Sequence, residues 1–326
     1  MAILARAVER SPASPAPLAE LAAALELLGR HREVVDALDA SAALVATDPL
    51  LGYLRAFNAV MVADLDTARR LLPRLEAAAD ERFRFMAARI ERMLARADGL
   101  RARSRLTLDD LRGWHYVLTG GVLLHATRIG RSWDTPGRVK AGVQSLALVL
   151  DALELAVPAV LYPPDRTSEL LARVCAATLE RPAQAWYGGD EPGLLVVYDA
   201  RALIPELRAP LVHHRPGQPL FMQAAEHTTE QPTAPDVLTY LYQHNTSPWG
   251  PGLTAEHQPL DTTAIPIDEL VRTALDAIPD PGLADRDPLQ AFLADLRTLP
   301  PAAAPAALRA DGQRERLWVG SPVATS

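Results

Sequence analysis

The sequence predicts an α+β chain in two parts: an N-terminal domain of α-helical hairpins, then an α/β domain with a mostly parallel sheet and an antiparallel edge hairpin. Three observations lead there. Apolar residues recur at three- and four-residue steps from about residue 15 to residue 103, the period of a helix face. Beyond residue 105, short apolar runs alternate with helical patterns, the grammar of helices layered on a sheet. Gly120-Gly121 stands between two β-rich runs, and a two-residue glycine loop supplies the positive φ that a tight hairpin needs.

Residues 1–14 read as a flexible tail. Leu18, Leu21, Leu25 and Leu28 then share one helix face, and Gly29 punctuates. Val34, Val35, Leu38 and Ala42 continue in a second helix, which "TDP" at 47–49 ends. Leu50, Leu54, Phe57 and Met61 mark a third. Ala68, Leu71, Leu72 and Leu75 mark a fourth; Phe83, Met86, Ile90 and Met93 mark a fifth. The helical domain is placed at 15–104.

Two units of this alternation can be set out, "LAELAAALELLGRHREVVDALDASAALVATDP" and "LLGYLRAFNAVMVADLDTARRLLPRLEAAADE". They resemble tetratricopeptide repeats. Gly29-Arg30-His31 stands where that family turns between helices, and Pro49 resembles its closing proline. The first unit runs longer than the family period and lacks the aromatic near the start of its first helix. The resemblance implies a surface for a protein partner. Residues 69–105 hold eleven arginines against five acids, a local +6 that leaves -13 on the remainder. The helix face of Arg89, Arg92 and Arg96 is the expected partner-binding face.

The α/β domain is placed at 105–226. "WHYVLT" and "VLLHAT" form the expected hairpin, with Val117 opposite Leu124 and Tyr116 opposite His125. A helix follows from about Arg138 to Leu155, a strand over Val157 to Leu161 and a helix from about Arg166 to Leu179. "PAQAWYG", "GLLVVYDA" and "QPLFMQAAE" read as further strands, with "ARALIPEL" a short helix between the last two. Residues 227–260 read as a long loop, rich in proline, threonine and histidine. Short helices occupy 261–299, the second opened by Asp287 as N-cap and Pro288 at its first position. Residues 300–326 read as a tail anchored by Leu317-Trp318-Val319.

Ligands of open α/β sheets bind beyond the carboxyl ends of strands, where helix N-termini present free N–H groups. "LYPPDRTSELLARVCAATL" sets Asp165, Arg166, Thr167 and Ser168 in such a place. Two readings are open: a cradle for a small phosphate-bearing ligand, or a helix start capped by Asp165. Asp199, ending "GLLVVYD", is the other ligand-binding candidate. This order of elements resembles a phosphoribosyltransferase core. "GLLVVYDARALIPE" begins like that family's ribose-phosphate motif and then departs: Tyr198 replaces the first acid, and Ala200 to Leu203 offers neither glycine nor threonine. The resemblance therefore implies a related fold without the 5-phosphate loop.

Other chemistries are unsupported. A net charge of -7 argues against nucleic acid and anionic membranes as partners. No apolar run approaches the roughly 20 residues of a membrane helix. The single cysteine, Cys175, and an N-terminus without a signal-like apolar run lead to the expectation of a cytoplasmic protein. His213, His214, His227, His244 and His257 cluster late, and "QAAEHTTE" sets Glu226, His227 and Glu230 together. Without a helical pattern there, no metal and no cofactor is expected. No Gly-X-Ser-X-Gly elbow, Walker loop or dinucleotide fingerprint is present. The expected function is an adaptor or regulatory protein, with hairpins for a protein partner and a small-ligand site on the α/β domain. The alternatives are a phosphoribosyltransferase-like or nucleotide-hydrolysing enzyme, and a structural component whose copies pair as a homo-oligomer.

Overall fold

The computed structural model describes residues 2–78, 80–101, 106, 110–126, 131–226, 233–242, 244–249, 252–253, 259–283 and 286–316. Contacts divide the chain into two units between Leu118 and Thr119, later than the boundary expected after residue 104.

The first unit is helical: α1 (Ala2–Arg10), α2 (Pro15–Leu27), α3 (His31–Asp39), α4 (Ala42–Thr47), α5 (Pro49–Met61), α6 (Leu65–Glu76), α7 (Glu81–Arg101) and α8 (Leu111–Thr119). Its core is the periodic set read from sequence, including Leu18, Leu25, Leu38, Leu54, Phe57, Ile90 and Met93. Local chemistry sets the ends. The Asp48 carboxylate accepts from Leu51 N at 3.0 Å, with Pro49 opening α5, and Asp64 caps α6 through Thr67 N. Gly29, at φ +68°, ends α2 by letting Arg30 N reach Leu25 O at 2.9 Å.

Two expectations for this unit are corrected. The supposed tail contains α1, which packs on α2. "WHYVLT" is helical, so the antiparallel hairpin over residues 114–127 does not form. Asp110 supplies the start of α8, its carboxylate accepting from Gly113 N at 2.9 Å. Trp114, His115, Tyr116, Val117 and Leu118 are all buried. An apolar run covered on every side carries no period that separates helix from strand.

The second unit comprises β1 (Val122–Leu123), β2 (Arg131–Trp133), α9 (Pro136–Ala152), β3 (Val160–Tyr162), α10 (Arg166–Leu179), β4 (Ala183–Ala185), β5 (Leu194–Val197), α11 (Pro205–Arg208), β6 (Leu220–Glu226), β7 (Val237–Tyr242), β8 (His244–Thr246), β9 (Gly252–Leu253), β10 (Pro259–Leu260), α12 (Ile267–Asp276) and α13 (Asp287–Leu296). Among the described residues, six strands form one sheet in the order β1-β7-β6-β5-β3-β4, every pairing parallel. The chain leaves β3 toward β4 and leaves β5 the other way, so the winding reverses between β3 and β5. β5, β6 and β7 are nearly all buried, as parallel strands covered on both faces must be. β2 pairs with β8, and β9 with β10.

The segment expected as a loop over 227–260 therefore contains β7, an interior strand. The expected tail is packed as far as it is described. His213 bridges Gln313, Arg314 N donates to Val212 O at 2.8 Å, and Ala303, Ala306, Arg314 and Glu315 are buried. Thr127 and the Leu317-Trp318-Val319 anchor lie outside the described residues.

Candidate ligand site

Parallel strands end on one edge, which gathers residues far apart in sequence. β5 leads into Tyr198 and Asp199, β6 ends at Glu226 and β7 ends at Tyr242. Asp199 caps the 3-10 turn Ala200–Ala202, its Oδ1 accepting from Arg201 N at 2.9 Å. That turn sends Arg201 back over the strand ends. Its guanidinium donates to Asp199 Oδ2 at 3.2 Å, to Glu226 Oε2 and to the Tyr242 hydroxyl. The Tyr242 hydroxyl donates in turn to Asp199 Oδ2, and the guanidinium carbon lies 5.2 Å from the Tyr242 ring centroid.

The carboxylates are nearly covered, with side-chain exposures of 12% for Asp199 and 10% for Glu226, while Arg201 keeps 42%. Burial, then the Asp199 charge, pushes the Tyr242 pKa up, so this phenol stays a donor. Burial works against the Arg201 charge; the hydrogen bond and charge of Asp199, with Tyr242 and Glu226, together outweigh it and raise that pKa.

A second, buried layer positions this edge. Asp134 Oδ2 accepts from the Tyr198 hydroxyl at 3.0 Å and from Gln223 Nε2 at 3.1 Å. Asn245 Nδ2 donates to the Tyr198 hydroxyl at 3.1 Å, and the Tyr240 hydroxyl donates to Asn245 Oδ1 at 3.1 Å. Thr239 Oγ1 donates to Gln223 Oε1 at 3.0 Å. Burial raises the pKa of Asp134 and of both tyrosines. The Trp249 ring lies 5.9 Å from that of Tyr198. A buried network with its donors paired to acceptors rigidifies what it touches. Here it holds Tyr198, the neighbour of Asp199.

Of the residues expected at a ligand, Asp199 lies in this cluster. Ser168 lies behind it: fully buried, its Oγ accepts from Tyr198 N at 3.0 Å and ties α10 to the end of β5. Asp165 caps α10, with Oδ1 accepting from Ser168 N at 3.0 Å and from Thr167 Oγ1 at 2.8 Å. Arg166 turns to carbonyls of its own chain. Nη2 donates to Ile265 O at 2.6 Å and Thr262 O at 3.2 Å, pinning the turn before α12.

The expected partner-binding arginines also need correction. Arg96 is fully buried and donates to Val117 O at 3.1 Å. Arg89 is 8% exposed, donates to the Tyr53 hydroxyl at 3.2 Å and lies 5.3 Å from the Phe57 ring centroid. Arg92 is half-buried. This face turns inward because Arg89 and Arg96 share the side of α7 that carries Ile90, Met93 and Ala97.

Arg201, Tyr242 and Asp134 escaped sequence reading. "VLTYLY" is a clear β run that would have placed Tyr242, but proline and threonine before it and histidine after it suggested a loop. Glu226, expected beside His227 and Glu230, is instead held by Arg201. His227, Glu230 and His257 lie outside the described residues. His214 is buried against Asp236, with Nδ1 to Oδ1 at 3.5 Å, and burial lowers its pKa to about 4. Burial raises the pKa of the Cys175 thiol. Among the described residues, no three histidine, cysteine or acidic side chains are grouped to hold a metal. No described helix is long and apolar enough to cross a membrane. No family model, no curated protein and no solved structure matches this chain.

Proposed function

We propose that this chain is an adaptor or regulatory protein whose α/β unit binds a small polar ligand at the carboxyl edge of its sheet. The observation that carries the reading is the convergence of Asp199, Arg201, Glu226 and Tyr242 over the ends of three adjacent parallel strands. Ligands of such sheets bind at that edge. Two carboxylates around one guanidinium leave the cluster net negative. An added phosphate would have to take Arg201 from both acids, whereas a ligand with hydroxyl or amine donors meets carboxylate lone pairs. The favoured ligand therefore carries vicinal hydroxyls or an amine.

The helical hairpins supply the protein-partner surface in this reading. With Arg89 and Arg96 buried and Arg82 paired with Asp80, the outward charge is carried by Arg70, Arg74 and Arg84, and Phe85 is 53% exposed. That surface suits an acidic partner.

Thermal unfolding against nucleosides, sugars, polyamines and phosphosugars tests the ligand site. A ligand that binds only the native state raises the midpoint, by RT ln(1 + [L]/Kd) in free energy. A hydroxyl- or amine-bearing compound is expected to raise it in the wild type and not in Asp199→Asn or Arg201→Gln. A shift that survives both substitutions, or no shift with any compound, removes the site.

A further inference from the structure

The helical unit contains a cleft of about 460 Å³ at the turn between α2 and α3. Its apolar wall is Met61, Val62, Leu111 and Trp114, and His31 opens onto it. We infer that this cleft binds a small hydroxyl-bearing aromatic molecule, with the hydroxyl donating to His31 Nε2 and the ring against the apolar wall.

The argument begins with Asn58, whose amide orientation is set from behind. Nδ2 donates to Leu54 O at 2.8 Å and to Glu26 Oε1 at 2.5 Å. A backbone carbonyl can only accept, so the amide nitrogen faces it and Oδ1 faces His31. His31 Nδ1 lies 2.8 Å from that oxygen. An amide oxygen cannot donate, so Nδ1 carries the proton. In the neutral ring Nε2 is then an acceptor. Nε2 has no hydrogen-bond partner among the described residues. Burial, against the smaller effect of the Asn58 bond, lowers the His31 pKa and keeps the ring neutral near pH 7. An edge contact with Phe57, centroids 6.3 Å apart, fixes the ring plane.

A fixed acceptor beside an apolar wall selects a donor on an apolar body. Of the charged residues that line the cleft, Arg30 and Glu33 form a forked pair at 2.6 and 2.7 Å, and Arg32 is exposed. The volume falls within the range usual for small-molecule sites, roughly 300–1,000 Å³. None of these residues belongs to the carboxyl-edge cluster, so the inference stands apart from the function proposed above.

Two measurements on the wild-type chain test it without a variant. Long-range proton–nitrogen correlation spectra of the histidine rings report the tautomer; the expected result for His31 is a protonated Nδ1 and a bare Nε2. Titration with p-cresol is expected to shift the Trp114 indole and His31 Nε2 signals saturably. 4-Methylanisole has the same ring and no donor, and should bind roughly two- to tenfold more weakly, the worth of one net hydrogen bond. His31→Phe keeps the ring contact with Phe57 and should abolish the preference for p-cresol. A proton on Nε2, equal affinity for the two probes, a preference that survives His31→Phe, or no saturable shift overturns the proposal.

Discussion

Replacing Arg314 with alanine should destabilise the α/β unit more than any surface change. The Arg314 side chain is 4% exposed and that of its partner Asp236 is 1%. Arg314 Nη2 donates to Asp236 Oδ2 at 2.8 Å and Nε lies 3.3 Å from the same oxygen. The guanidinium also serves Leu211 O at 3.2 Å, Gln218 O at 3.1 Å and His213 O. Without it, Asp236 Oδ2 keeps one strong donor, Leu220 N at 2.7 Å. Breaking a buried pair by removing one member costs about 3–5 kcal/mol, because the other charge stays buried. Three carbonyls losing a donor place Arg314→Ala toward the upper end of that range. Urea unfolding at pH 7, followed by the fluorescence of the buried Trp186 and Trp249, measures it. A double-mutant cycle through Arg314→Met and Asp236→Asn separates the charge effect, and the double variant should recover about 2 kcal/mol over the summed singles. A cost for Arg314→Ala below about 1 kcal/mol, or singles that add within about 0.5 kcal/mol, would refute the reasoning.

Two glycines in helices should respond with opposite sign to alanine. A Cβ at Gly142 would stand 2.9 Å from Thr239 Cγ2 and 3.0 Å from Gln223 Oε1, so crowding should exceed the helix-propensity gain and cost a net ~1 kcal/mol or more. At Gly52 the nearest atoms are 3.8 Å and 3.9 Å away, so Gly52→Ala should stabilise the helical unit by about 0.5–1 kcal/mol; equal signs in thermal unfolding would contradict both. Acid should weaken both units. Burial lowers His115 and His214 from 6.5 to about 4, so between those values the unfolded chain binds more protons. The stability each contributes is full above pH 6.5 and is lost as pH falls toward 4, on the order of 3 kcal/mol apiece. Urea midpoints from pH 7.5 to 4.5 should fall accordingly, and His214→Gln should flatten the α/β transition; a pH-independent wild-type midpoint would exclude this account.

The local elements with a clear period were legible in sequence. The apolar steps through Leu18, Leu25, Leu54, Phe57, Ile90 and Met93 placed α2, α3, α5, α6 and α7, because a helix face repeats every three to four residues whatever it packs on. Asp165 marked the start of α10 because capping involves only neighbouring residues. Asp199 was found as a ligand candidate because it ends an unmistakable buried strand.

What the chain alone determined is this local grammar: helix periods, caps, short buried strands and the absence of several common motifs. Tertiary structure decided which ambiguous run became helix, which arginines faced inward, and which strand ends met. α8 depended on being covered from all sides, and burial on every side erases the pattern that distinguishes helix from strand; β7, a clear β run by itself, was hidden by the proline, threonine and histidine around it. Arg89 and Arg96 found Tyr53 and Val117 across the bundle, partners 36 and 21 residues away. Arg201 joins Asp199 to Glu226 and Tyr242 for the same reason: parallel pairing brings strand ends together across 25 to 43 residues of chain, and spacing along the sequence carries no record of that meeting.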